Sequence, residues 1–86
     1  MLREDELPNL IATRWVDQAS GLWIDRVMAG GQMTFAVRCS GGECLNKQGD
    51  FEHEPQPSDR DPMFLARCRW DDFDQAAIAL DMAAIN

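Results

Sequence analysis

Alternating hydrophobic and polar positions in the middle of the chain predict β-strands. From Gln32 to Cys39 apolar residues occupy every second position, which places them on one face of a strand. The β-favourable run from Leu22 to Met28 precedes this segment, and Ala29-Gly30-Gly31 separates the two, so they are predicted to form a hairpin. A helix over the first run, ended by the glycines, is the alternative because the same apolar residues also fit helical spacing.

Three further strands are predicted after this hairpin. Turns at Ser40 to Glu43 and Lys47 to Asp50 delimit short strands at Cys44 to Asn46 and Phe51 to Glu54. The segment from Met63 to Trp70 alternates again, which indicates a central or well-covered strand. Its inward face would carry Phe64, Ala66, Cys68 and Trp70, and its outward face Leu65, Arg67 and Arg69.

Helical spacing appears near both ends of the chain. Asn9 to Ala19 is predicted to be a short helix, with Pro8 suited to its first turn and Ser20-Gly21 to its end. The second helix follows an acidic stretch, which favours a helix N-terminus, and continues as an apolar run to Ile85. Its sheet-facing side is expected to carry Phe73, Ala77, Leu80 and Ala84. A second apolar stripe, able to pack on another copy of the chain or on a partner, is expected at Ile78, Met82 and Ile85.

These elements predict one α+β domain over residues 1–86. Three to four of these strands are expected to form a small antiparallel sheet, with a short N-terminal helix and a C-terminal helix packed on the sheet. Residues 1–7 are charged and lack periodicity, which predicts a mobile tail, and residues 55–62 hold three prolines, which predicts a loop. A chain of this length forms a modest core, so oligomerisation as a homodimer is an open route to added stability.

The charge balance narrows the classes of partner. Fifteen acidic and eight basic residues give a net charge of -7, which repels nucleic acid phosphates and disfavours direct nucleic acid binding. The same field favours a host protein or ribonucleoprotein complex with a basic surface, including one that itself binds nucleic acid. No apolar run approaches the roughly 18–20 residues of a membrane span, and three cysteines, an odd number, suit a reducing compartment. We therefore expect a cytoplasmic protein.

Metal binding is the strongest candidate for site chemistry, yet it is not the favoured interpretation. Cys39 and Cys44 flank a four-residue turn, and His53 and Cys68 would complete a Cys3His zinc set. Structural zinc sites usually have two closely spaced ligand pairs, whereas His53 and Cys68 are isolated. Strand alternation also places Cys39 and Cys68 beside apolar neighbours, which is typical of inert buried thiols. No cofactor is predicted.

No motif in the chain predicts catalysis. The sequence lacks a nucleophile elbow, a paired-histidine zinc motif and a phosphate-binding loop, so an enzyme is not expected. Glu52 and Glu54 share a strand face as paired catalytic carboxylates do, but Arg67 and Arg69 have the same spacing, which favours cross-strand ion pairs. Trp70 with these arginines resembles a base-stacking patch, but its inward position favours core packing.

The remaining acids are candidates for partner binding. Helix capping accounts for one or two of the aspartates before the C-terminal helix, and the others either solvate the surface or form a recognition face. The predicted partner-binding residues are Asp59, Asp61, Asp71, Asp72, Asp74, Glu52 and Glu54.

The chain resembles the small acidic proteins of phages and mobile elements, including anti-CRISPR inhibitors and other DNA mimics. This resemblance lies in length, charge, a loop-rich α+β pattern and lack of motif. The stretches Glu43 to Lys47, Glu52 to Pro55 and Phe64 to Arg67 also look like segments of uncharacterised phage proteins. It implies an inhibitor that occupies a basic, nucleic-acid-binding surface of a host defence complex. A small structural domain that is metal-stabilised or self-associating is the alternative.

Overall fold

An antiparallel sheet followed by two helices makes up the fold in the computed structural model, which describes residues 2–5, 14–29, 31–56 and 61–85. The strands are β1 Leu2–Asp5, β2 Arg14–Asp17, β3 Leu22–Ala29, β4 Gln32–Arg38, β5 Cys44–Leu45 and β6 Phe51–Glu52. The helices are α1 Pro62–Cys68 and α2 Phe73–Ile85. Each strand pairs with the next one along the chain, so the described sheet is a six-stranded meander and the α+β prediction is confirmed.

The β3–β4 hairpin is the longest pairing in the sheet. Its register runs from Trp23 opposite Arg38 to Ala29 opposite Gln32, which confirms the predicted hairpin and excludes the helical alternative for β3. Gly31 in the connecting turn has a φ of 82°, in the left-handed region that glycine enters without a steric penalty.

One face of the sheet packs against α2. The buried core there joins Ile24, Val37 and Leu45 of the sheet to Ala76 and Leu80 of the helix. At the beginning of α2, three aromatic rings meet edge to face or tilted: Trp15, Phe35 and Phe73, with centroids 4.8–6.2 Å apart. The predicted helix-on-sheet packing is confirmed, although Ala84 is exposed and Ala76 is buried in its place.

The opposite face of the sheet packs against α1. Cys44 and Leu45 are neighbours on β5 and therefore point to opposite faces, and Cys44 joins Phe64 and Cys68 of α1 in a second buried cluster. The strand predicted over Met63 to Trp70 is therefore wrong. Phe64 and Cys68 are four residues apart, so they also share one face of a helix.

Trp70 is the one position of that predicted strand that pairs with the described sheet. Its backbone exchanges two hydrogen bonds with Phe35 of β4, with N···O distances of 2.8 and 2.9 Å. The adjoining helix α1 is favoured by Asp61, which accepts a hydrogen bond from the Phe64 amide, and by Pro62 in its first turn.

The N-terminal predictions need correction. Arg14–Asp17 forms β2 between β1 and β3, so the helix expected over Asn9 to Ala19 is wrong in that part, and residues 9–13 lie outside the described residues. Leu2–Asp5 forms β1 where a mobile tail was expected. These two added strands explain why the sheet is larger than the three to four strands predicted. Residues 57–60 of the predicted loop 55–62 lie outside the described residues, and the last residue of that loop begins α1.

Candidate protein-binding surface

A chain of alternating charges crosses the face of the sheet opposite α2. Asp25 binds both Arg14 and Arg38, with N···O distances of 2.7 and 2.6 Å. Arg38 also binds Glu54 at 2.8 Å, and Glu54 binds Arg69 at 3.1 Å. The sheet register places Arg14 opposite Asp25. Arg38 is the last residue of β4, Glu54 lies two residues after β6, and Arg69 directly follows α1. The network ties β2, β3 and β4 to the segments that follow β6 and α1.

Apart from Arg14, whose side chain is 47% exposed, this network is largely withdrawn from solvent. The side chains of Arg69 and Glu54 are 3% and 10% exposed, respectively. Burial alone would lower the pKa of Arg38, but the hydrogen bonds and the negative charges of Glu54 and Asp25 outweigh it and raise this pKa. Because its charges satisfy each other, the network holds the fold together and offers little to a partner.

Glu52 and Arg67 form a second, more exposed ion pair. The closest N···O distance is 3.0 Å, and Asn46 donates a further hydrogen bond to the Glu52 carboxylate at 2.9 Å. The predicted pairing of Glu52 and Glu54 with Arg67 and Arg69 is thus confirmed. The arginines come from α1 and the residue after it rather than from a neighbouring strand.

The Glu52 pair should make stability depend on pH below neutrality. The hydrogen bonds from Arg67 and then Asn46 lower the pKa of Glu52 from its usual 4.5 to about 2. The stabilisation is therefore complete above pH 4.5 and is lost as the pH falls from 4.5 toward 2. We expect the urea midpoint of the parent to exceed that of Glu52→Gln at pH 7, with the difference shrinking across this window. A difference that stays constant down to pH 2 would contradict the pair.

The candidate zinc ligands, which were not the favoured interpretation, are not assembled among the described residues. Cys44 and Cys68 share the cluster under α1, Cys39 packs against the core on the other face, and His53 is exposed. No group of three metal-binding side chains is found in the described ranges. Burial raises the pKa of the Cys44 and Cys68 thiols, so both remain protonated and weakly nucleophilic.

Trp70 and Arg69 are buried, so they do not form a base-stacking patch. Trp70 belongs to the core under α2, as the core-packing interpretation predicted. Arg69 is directed into the ion network, and its guanidinium lies 5.5 Å from the centre of the Phe64 ring. Neither side chain is presented to a nucleic acid.

The predicted acidic surface is partly brought together by the two helix N-termini. Asp61 caps α1, and the Asp72 side chain accepts a hydrogen bond from the Asp74 amide at 2.7 Å at the beginning of α2. Asp71 and Pro62 line the same wide depression, which Lys47 and Arg69 also border. We call the four exposed carboxylates at these helix starts the acidic rim: Asp61, Asp71, Asp72 and Asp74. Asp59 lies outside the described residues.

The described ion pairs occupy four bases but only three carboxylates, so the charges left unpaired at the described surface are mostly negative. The pairs involve four of the six basic side chains that the structure describes: Arg14, Arg38, Arg67 and Arg69. The other two are Arg26 and Lys47. Seven exposed carboxylates form no ion pair with a described base: Glu43, Asp50, Asp61, Asp71, Asp72, Asp74 and Asp81. The described part of the surface therefore has a net negative charge.

Comparisons of the chain with protein-family models, curated proteins and solved structures found no match. Neither of the two described helices is long and apolar enough to cross a membrane.

Proposed function

We propose that this chain is a non-enzymatic binding protein whose acidic rim occupies a basic surface of another protein. The supporting observation is how the basic side chains are paired. Ion pairs within the chain involve most of the described arginines, whereas the rim carboxylates are exposed and form no ion pair with a described base. Carboxylates presented in this way attract Lys and Arg side chains and repel phosphates.

The rim is a better candidate for contact than Glu52 or Glu54. Those two carboxylates belong to internal ion pairs, so a partner would have to displace an arginine to reach them. Asp71 and Asp74, in contrast, are exposed and form no ion pair with a described base. We therefore narrow the predicted binding set to the rim.

The natural target of such a surface is a protein that binds nucleic acid, because its basic groove is complementary to an acidic face. The resemblance to anti-CRISPR and other DNA-mimic inhibitors suggests a host defence complex as that target. The chain would then act in the host cytoplasm, where its three free cysteines stay reduced. Inhibition would follow from competition with DNA or RNA for the same groove.

Removing rim charges should weaken binding without unfolding the protein. We expect Asp71→Asn combined with Asp74→Asn to raise the Kd for the target about 2- to 30-fold, the range for losing two exposed ion pairs. The target would be captured on the immobilised chain from nuclease-treated host lysate at low salt and identified by mass spectrometry. Binding should weaken as ionic strength rises, because the Debye length falls to about 8 Å near physiological salt.

The matched control removes two charges elsewhere. Glu43 and Asp50 are exposed in turns and not at a helix start, so Glu43→Gln with Asp50→Asn should change the Kd little. Added RNA should release the captured protein from the chain at constant ionic strength. Equal effects of both double variants, indifference to salt, or simultaneous binding of RNA and the chain would overturn the proposal.

A further inference from the structure

The outer face of α2 is apolar although it faces away from the core. Successive residues are rotated by about 100° around a helix axis. Ile78, Met82 and Ile85 therefore fall within a sector of roughly 60° that points away from Ala76 and Leu80. Their exposed fractions are 60%, 64% and 83%, respectively. We call these three residues the outer stripe.

A helix that is apolar on all sides is normally covered on all sides. Between its first and last residues, α2 has only three polar side chains, Asp74, Gln75 and Asp81. The sheet covers the inner face, whereas the outer stripe is exposed in the part of the chain that the structure describes. A solvent-facing helix without a partner would carry polar residues at these positions, so the stripe indicates an interaction surface.

A groove extends this surface along one side of the stripe. The groove is lined by Met82 and Ala79 of α2 and by the turn at residues 46–49, which includes the exposed Lys47. Leu45, Trp70 and Ala83 also line it, and the first two are almost completely buried. The groove can therefore accept an apolar side chain from a molecule that lies along α2.

Acidic residues border the opposite side of the stripe. Asp74 is four residues before Ile78, and Asp81 is four residues before Ile85, so each carboxylate lies next to an apolar member of the stripe. No basic residue occurs on α2. A complementary partner must therefore combine apolar side chains, for the stripe and the groove, with basic side chains for the acidic edge.

We propose that the outer stripe and its groove bind a basic amphipathic helix of the partner protein. This inference rests on the proposed function and specifies the element that the acidic protein would bind. A second copy of the chain fits less well, because its own α2 would bring Asp74 and Asp81 against the same carboxylates. Three side chains also provide much less than the roughly 800 Å² per partner of a stable dimer interface.

The test uses a synthetic helical peptide of leucine and lysine, patterned with an apolar face and a basic face, as the probe. The control peptide has glutamate at every lysine position. The basic peptide should bind and shift the methyl resonances of Ile78, Met82 and Ile85 while leaving that of Met63 unchanged. Met63 lies on α1 and is 73% exposed, so it reports non-specific contact. The acidic peptide should not bind.

Two variants measure the contribution of the stripe. Ile78→Gln with Met82→Gln should raise the Kd for the basic peptide about tenfold or more, because apolar contact area is lost. Met63→Gln should leave it unchanged. All three side chains are exposed, so thermal unfolding should confirm that both variants keep the fold.

Several outcomes would overturn the inference. These are equal binding of the two peptides, binding unaffected by the stripe variant, and concentration-dependent sedimentation of the chain that the stripe variant abolishes. The last result would assign the stripe to a second copy. The helix inference can fail while the proposed function stands. This is the case if Asp71→Asn with Asp74→Asn weakens capture of the cellular target and the stripe variant does not.

Discussion

Leu80→Ala should lower the free energy of unfolding by about 2–5 kcal/mol, the usual cost of truncating a fully buried leucine. Leu80 has no exposed surface and belongs to the core that joins α2 to Ile24, Val37 and Leu45. The substitution removes apolar contacts and leaves a cavity between helix and sheet. Small domains have only about 5–15 kcal/mol of total stability, so urea unfolding followed by circular dichroism should show a large shift.

Ile78→Ala is the matched control for this experiment. It lies on the same helix and loses a comparable volume, but its side chain is mostly exposed, so its effect should stay within about 0.5 kcal/mol. Alanine is also the best helix former, which offsets part of any loss. If Leu80→Ala unfolds at the same urea concentration as Ile78→Ala, α2 does not pack on the sheet as described.

The elements predicted correctly from the sequence are those that local patterns determine. The β3–β4 hairpin combines strict alternation in β4 with a glycine turn, and α2 combines an acidic start with a long apolar run of helical spacing. In both cases the local turn or capping chemistry agrees with the hydrophobic period. Such agreement makes prediction possible without knowledge of tertiary contacts.

The helix α1 was missed because two periods fit the same residues. Phe64, Ala66 and Cys68 alternate as in a strand, but Phe64 and Cys68 are also one helical turn apart. Asp61 and Pro62 belong to the predicted loop 55–62, although an aspartate before a proline is a typical helix start. Asp61 and Pro62 were therefore the signal that could have distinguished a helix from a strand in this segment.

Non-local pairing explains the errors at the N-terminus. The segment Arg14–Asp17 is four residues long, too short for its period to distinguish helix from strand, and it becomes β2 by pairing with β1 and β3. The charge network has the same origin. Spacing predicted that Glu52 and Glu54 pair with Arg67 and Arg69, but Asp25 meets Arg14 and Arg38 only through the register of three strands.

Glu54→Gln should be the most destabilising change of charge in the described network. Glu54 lies between Arg38 and Arg69, and its side chain is only 10% exposed. Arg38 would keep Asp25, but Arg69 would lose the one carboxylate that it contacts among the described residues. Leaving a buried charge without a partner costs about 3–5 kcal/mol, and urea unfolding at pH 7 measures the loss.

Two further variants show whether the cost comes from the buried charge of Arg69. Glu52→Gln, which disrupts the more exposed pair with Arg67, should reduce stability much less. Adding Arg69→Met to Glu54→Gln should restore part of the lost stability, because it removes both the unpaired guanidinium and its Nε, which has no hydrogen-bond partner among the described residues. If Arg69→Met instead adds its own loss to that of Glu54→Gln, the two side chains act independently and the guanidinium is solvated rather than dependent on Glu54.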